Sequence, residues 1–267
     1  MPLRPHVFDD PAALGSAAAA LVADRLEAAP DRFLLGCPGG RSAATTYLAL
    51  AREVQRRRLD LGGLTVVMMD DYLVPDGAGG LRREDPAAAH SCERFAVEQI
   101  VRPLEAAAGP GRGFGPDALW LPDPVAPEEY DRRIAHAGGI GLFLLASGAG
   151  DGHVAFNPPG SSAGSRTRVV ALPATTRQDN LATFPSFGGD LDAVPGHGVT
   201  VGLRTIAESA EALMLVLAAD KGTAAERLLH ADGYDPSWPA TIVVECARPH
   251  LFLDRAAVDA ATARRQH

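Results

Sequence analysis

The chain has 267 residues, 46% of them hydrophobic and 22% charged, with a formal net charge of -8. That balance belongs to a folded protein rather than a disordered one, and the acidic excess excludes a general nucleic-acid binder, whose phosphate partners need a basic surface. No apolar run approaches the ~18 residues of a membrane span and the first residues lack the basic-then-apolar layout of a signal peptide, so the expectation is a cytoplasmic protein without membrane contact, one domain over residues 1–267.

In chain order, Asp9 or Asp10 followed by Pro11 opens a first helix, which Pro30 closes. Phe33–Cys37 reads as a buried strand turned by Gly39-Gly40, with Ser42 capping a helix to about Arg58. Leu64–Met69 reads as a second strand ending in Asp70-Asp71. A loop rich in Gly, Pro and Asp fills Pro75–Pro86, and a helix follows at Ser91–Leu104 with Phe95, Ile100 and Leu104 inward. Residues 107–127 form a surface connection. A helix near Glu128–His136 leads to the most hydrophobic strand, Gly139–Ala146, which the glycine-rich Ser147–Gly152 ends. Arg168–Leu172, Val199–Val201, Leu213–Ala218, Thr241–Val244 and Leu251–Leu253 complete the predicted strands, and Lys221–His230 forms a further helix. This alternation predicts a layered α/β domain with a largely parallel sheet.

Three cysteines, Cys37, Cys92 and Cys246, lie far apart without metal-ligand spacing, so neither a disulfide framework nor a zinc site is expected. The 25 basic residues are 24 arginines and a single lysine, Lys221. A lone lysine in such a chain is either incidental or marks a site that needs a compact, flexible ammonium.

Ligands of open parallel sheets bind beyond the carboxyl ends of the strands, and three polar clusters fall there. Gly39-Gly40-Arg41-Ser42 is either a plain tight turn or a set of backbone N–H groups facing an anion at a helix N-terminus; the nucleotide P-loop spacing is absent. Asp70-Asp71-Tyr72 is either a loop turn or a strand end where one acid faces a pocket as a general base and the other is structural. Asp151-Gly152-His153 sets a carboxylate two residues from an imidazole, which suits it to orient and charge a histidine for proton transfer. Asn157, Ser161, Ser162, Arg166 and Arg168 then supply donors suited to hydroxyls and phosphate.

Met69-Asp70-Asp71-Tyr72, Gly150-Asp151-Gly152-His153-Val154-Ala155-Phe156-Asn157, Pro159-Gly160-Ser161-Ser162, Ser165-Arg166-Thr167-Arg168 and Val199-Thr200-Val201-Gly202 together resemble the glucosamine-6-phosphate isomerase/deaminase family, which shares a superfamily with 6-phosphogluconolactonase. The resemblance implies a modified doubly wound, Rossmann-like α/β fold with helices on both faces, a small-molecule sugar-phosphate substrate, and no metal or organic cofactor. It implies a hydrolase and isomerase of an amino-sugar phosphate, which opens the ring, moves a proton between C2 and C1, and releases ammonia to give fructose 6-phosphate. The alternatives are a lactonase, with His153 activating water, and a sugar-phosphate-binding protein without turnover.

In the site that the resemblance implies, Asp70 is the base for the C2 proton, and His153, held by Asp151, protonates the ring oxygen. Lys221 and the backbone around Gly39, Gly40, Arg41 and Ser42 hold the phosphate, with Asp71 and Arg168 as further candidate substrate contacts. The chain departs from the family pattern at four positions. Pro158 stands where members carry an acid that belongs to the histidine's relay. Ala182 stands where they carry a phosphate-gripping arginine. Arg41 and Arg204 stand where small residues are usual, and either is a candidate replacement for that arginine. Members range from monomers to hexamers, so a homo-oligomer is left open.

Overall fold

The structure is a computed structural model that describes residues 3–181 and 183–264; Ala182, the position of the missing phosphate arginine, lies outside the described residues. In chain order the strands are β1 (Pro5–Phe8), β2 (Phe33–Cys37), β3 (Leu64–Met68), β4 (Asp70–Pro75), β5 (Leu81–Arg83), β6 (Leu119–Trp120), β7 (Leu142–Ala146), β8 (Arg168–Ala171), β9 (His197–Thr200), β10 (Ala212–Val216) and β11 (Pro249–Asp254). Seven of them pair in parallel in the order β1-β11-β10-β7-β2-β3-β6. The other four form an antiparallel sheet in the order β5-β4-β9-β8.

The central strands are apolar at successive positions because both faces of the parallel sheet are covered. In β7, Leu142 and Leu144 enter one core while Phe143 and Leu145 enter the other. The first core is closed by α1 (Pro11–Ala28) and α2 (Ala44–Arg57), and by a helix that runs from α3 (Cys92–Phe95) through a π-helical stretch at Ala96–Val101 to α4 (Arg102–Ala108). The second is closed by α5 (Pro127–His136), then, beyond α6 (Ala174–Leu181), by α7 (Leu203–Ala207), α8 (Gly222–Leu229) and α9 (Arg255–Arg264). Asp10 caps α1, accepting the Ala13 N–H at 2.8 Å, with Pro11 in the first turn. This is the layered α/β domain with a largely parallel sheet that the alternating pattern predicts, in the doubly wound form that the resemblance implies.

Four sequence expectations change. Ser42 does not cap α2: it lies inside a 3-10 turn, Arg41–Ala43, that precedes the helix and makes no side-chain capping bond. Leu64–Met69 and Asp70-Asp71 do not share a strand. The chain leaves the parallel sheet at Met68 and enters the antiparallel one at Asp70, where Asp70 pairs with Thr200 and Thr200 with Arg168. Thr241–Val244 is not a strand but part of a 3-10 helix, Pro239–Glu245. Pro239 lacks the N–H a ladder would use, and Thr241 Oγ1 bonds back to the Trp238 carbonyl at 2.8 Å. The loops at 75–86 and 107–127 contain the short strands β5 and β6.

Strand order reverses between β2 and β7. From β2 the chain moves outward to β3 and β6; it then returns to β7 on the other side and continues to β10 and β11. The carboxyl ends of β2, β3, β7 and β10 therefore diverge around one crevice.

Candidate active site

That crevice is a cleft whose wall includes Gly39, Gly40, Arg41, Ser42, Asp70, His153 and Lys221. Asp70, only 5% exposed, opens β4 just past the end of β3. The Cys92 thiol donates to its Oδ1 at 3.6 Å. Burial, and next the charge of Asp71, push Asp70 up to about 7, which suits a base working near neutral pH.

Strand alternation sends Asp71 the other way. Its fully buried carboxylate accepts the N–H groups of Tyr72 at 2.9 Å and Cys92 at 3.1 Å, and Arg83 lies 3.8 Å from it. Burial raises Asp71 to about 6 against those N–H and guanidinium contacts. Asp71 thus holds the start of α3 in place and is not on the cleft wall, contrary to its candidacy as a substrate contact.

Beyond β7 the chain curls back at Ser147–His153. His153 Nδ1 lies 2.6 Å from Asp151 Oδ1, and Asp151 Oδ2 accepts Thr176 Oγ1 at 2.6 Å and Thr175 Oγ1 at 3.2 Å. Burial opposes the Asp151 charge, but the bonds from His153 and Thr176 outweigh it and hold the carboxyl well below its usual range. An ionised carboxylate only accepts, so Nδ1 carries the proton between the pair. Nε2 is then the nitrogen left for a ligand. Gly148 makes the curl fit: a Cβ there would lie 2.3 Å from His153 Nδ1 and 2.6 Å from Asp151 Oδ1. Gly148→Ala is expected to lower kcat by about 10²-fold, because displacing a catalytic group by ~1 Å has that effect, while the circular-dichroism spectrum stays that of the parent.

On the same cleft wall, β2 gives way to Gly39 and to Gly40, whose φ of 104° is a left-handed conformation favouring glycine. The first-turn N–H groups that follow have no acceptor within their own helix, which readies Gly40–Ser42 for an anion. Lys221 ends a 3-10 turn after β10, and its Nζ donates to the Ser147 carbonyl at 2.7 Å. Burial lowers its pKa against the pull of Asp179 and Asp220. Arg41, also on the wall, pairs with Asp220 at 3.2 Å.

Two predicted residues lie elsewhere. Arg204 bonds Glu208 at 2.7 Å on α7, away from the cleft wall, so it does not replace the missing phosphate arginine. Arg168 bonds Asn157 Oδ1 at 2.8 Å and Ser161 Oγ at 3.2 Å, which braces the loop after His153 rather than the cleft. Conversely, Cys92, Phe156, Asp179, Asn180, Thr183 and Phe184 line the cleft without having been singled out for it. The run of polar residues Thr175–Asn180 was the available signal for the α6 contribution.

The fold and cleft define an α/β protein of the class that takes its ligand at a topological switch point. The chain belongs to the family of glucosamine-6-phosphate isomerases and 6-phosphogluconolactonases, which matches residues 9–252. A glucosamine-6-phosphate deaminase of Mycolicibacterium smegmatis is 34% identical over 254 residues, 94% of this chain and 90% of that protein. One from Beutenbergia cavernae is 36% identical over 245 residues, covering 90% and 87%. The solved structure of a monomeric glucosamine-6-phosphate deaminase superposes with a TM-score of 0.82 at 26% identity, covering 97% of this chain and all of that one. The 6-phosphogluconolactonase of Thermotoga maritima shares the fold, with a TM-score of 0.66 at 17% identity and coverage of 95% and 99%. Among the described residues no helix is long and apolar enough to cross a membrane.

Proposed function

We propose that this protein, acting as a single domain, converts glucosamine 6-phosphate and water into fructose 6-phosphate and ammonia. The observation that carries the reading is one cleft uniting a base raised to about 7, a carboxylate-oriented imidazole, and a glycine turn with a lysine. The phosphate sits on the N–H groups of Gly40–Ser42 and on Lys221, which fixes the sugar's reach toward the acid–base groups. His153 Nε2 takes the proton of the anomeric hydroxyl and delivers it to the ring oxygen as the C1–O5 bond breaks, giving the open aldehyde. Asp151 stabilises the imidazolium formed in between.

Asp70 then removes the C2 proton. The electron pair moves into the C1–C2 bond and the C1 oxygen takes up a proton, giving an enolamine. Return of a proton to C1 leaves an imine at C2. Water adds at C2 and ammonia departs, so one water is consumed and the C–N bond is hydrolysed. Ammonia release from glucosamine 6-phosphate is the test. Hydrolysis of a sugar-phosphate lactone without any ammonia would replace the proposal with the lactonase reading, and a ligand-induced melting shift without turnover would replace it with a binding protein.

The phosphate end gives a graded expectation. Lys221→Met is expected to raise KM by about 10- to 100-fold with kcat within about threefold, since a charge-assisted bond contributes roughly 1.5–3 kcal/mol. Arg41→Ala is expected to raise KM only about threefold, because its half-exposed guanidinium is screened and already paired with Asp220. Inhibition by inorganic phosphate should weaken in the same order. A loss at Arg41 equal to that at Lys221 would make Arg41 a full phosphate ligand.

A further inference from the structure

Helix α6 brings into the cleft a carboxylate that the mechanism above leaves unused. Asp179 Oδ2 accepts the N–H groups of Ala149 at 2.7 Å and Gly150 at 3.1 Å, and lies 4.0 Å from His153 Nδ1. It approaches the same ring nitrogen that Asp151 Oδ1 holds at 2.6 Å. The loop that carries Asp151 and His153 supplies no second acid of its own. Where the resemblance leads one to expect it, the chain has Pro158, whose carbonyl accepts the Ser161 N–H at 3.1 Å.

We propose that Asp179 is a positioning residue for His153, the second carboxylate of its proton relay, supplied by α6 in place of the loop acid that Pro158 removes. The inference rests on the proposed role of His153 in ring opening. A carboxylate 4.0 Å from the ring favours the imidazolium that forms when the anomeric proton is taken up. The charges around the ring are few. Asp151 and Asp179 face Nδ1, Lys221 interacts with both acids and with Asp220 and Arg41, and Asp70 lies on the wall of the same cleft. Lys221, drawn chiefly to Asp179, offsets part of that charge.

The seat on Ala149 and Gly150 adds a second consequence. The relay is complete only when α6 lies against the loop after β7, so the placement of α6 and the readiness of His153 are coupled. Asp151, His153 and Asp179 also offer ligand atoms within 4.8 Å of one another, a spacing that suits a metal ion. Their geometry does not: Asp151 Oδ1 and His153 Nδ1 are turned to each other, and Asp179 Oδ2 is engaged by two N–H groups.

The experiment separates charge from latch. Asp179→Asn keeps an oxygen that accepts the Ala149 and Gly150 N–H groups but removes the charge; Asp179→Ala removes both. Ammonia release is measured with glucosamine 6-phosphate and with an acyclic analogue lacking the ring-closing hydroxyls. The expected result for Asp179→Asn is a kcat lowered about 10-fold on the closed substrate, KM within about twofold, and the acyclic analogue turned over at nearly the parent rate. Full activity in Asp179→Asn together with a loss confined to Asp179→Ala would reduce Asp179 to a structural latch and overturn the proposal. Equal losses on both substrates would overturn it as well. A parent protein that releases no ammonia overturns the functional reading and this inference together, whereas an active parent with an unimpaired Asp179→Asn overturns this inference alone.

Discussion

Replacing Asp70 by Asn is expected to lower kcat by about 10²- to 10⁴-fold, the usual effect of removing a general base, with KM for the sugar phosphate nearly unchanged. The amide keeps the shape of a side chain seated beside Cys92 but does not take up the C2 proton. Solvent deuterium incorporation at C2 is the direct readout, and undiminished incorporation in the variant would assign the base elsewhere. Asp71 is a poor substitute, since its carboxylate is buried against the Tyr72 and Cys92 N–H groups off the cleft wall.

The same substitution should stabilise the fold in alkaline solution. Asp70 titrates at about 7 in the folded chain and near 3.9 when unfolded. Between those values the folded state holds a proton that the unfolded state has released, so stability falls as pH rises through the window. At about 1.4 kcal/mol per pH unit the ceiling is about 4 kcal/mol at pH 8. Urea unfolding should show Asp70→Asn above the parent at pH 8 and the gap closing toward pH 4. A gap that widened toward pH 4 would contradict the raised acid.

His153→Ala is expected to lower turnover of ring-closed glucosamine 6-phosphate by about 10²-fold or more, and turnover of the acyclic analogue by less than about 10-fold. The contrast follows from the position of the ring. Asp151 fixes Nδ1 at 2.6 Å, so the group removed is a proton carrier at Nε2 rather than the C2 base. Deuterium exchange at C2 of the acyclic analogue should persist in the variant. Equal losses on both substrates would show that His153 also acts after ring opening.

The fold was legible where burial writes a pattern. β2, β7 and β10 are continuous apolar runs because helices cover both faces, and Asp10-Pro11 marks the start of α1 by capping chemistry. The second sheet was not legible at its junction. Leu64 to Pro75 is extended almost throughout, and nothing in Met68-Met69-Asp70 announces that hydrogen-bonding partners change there. Thr241–Val244 misled because β-branched residues fit a buried 3-10 turn as well as a strand once Pro239 starts it.

In the site, Asp70, His153 and Lys221 were readable as residue types at strand ends, and they do share one cleft. The side from which each neighbour approaches was not readable. Asp71 and Arg168 lie beside cleft residues in sequence yet turn into the scaffold, and Arg204 finds Glu208 one helical turn away. Asp179 stayed hidden because α6 is a short polar helix without an apolar stripe, whose importance comes from folding against Ala149 and Gly150.

Lys221, the only lysine in the sequence, sits with its amine on the cleft wall. An amine-directed acylating reagent therefore meets one side-chain target in the whole chain, and that target lies in the cleft where the sugar phosphate is proposed to bind. Occupancy can be followed as protection of the one lysine-containing peptide, read apart from the α-amino group that the same reagent acylates, so candidate sugar phosphates can be ranked before any product is known. The same fact makes amine coupling to a solid support self-defeating here: tethering through the lysine side chain would plug the cleft, and with all three cysteines buried, immobilised binding measurements need attachment through a terminal tag instead.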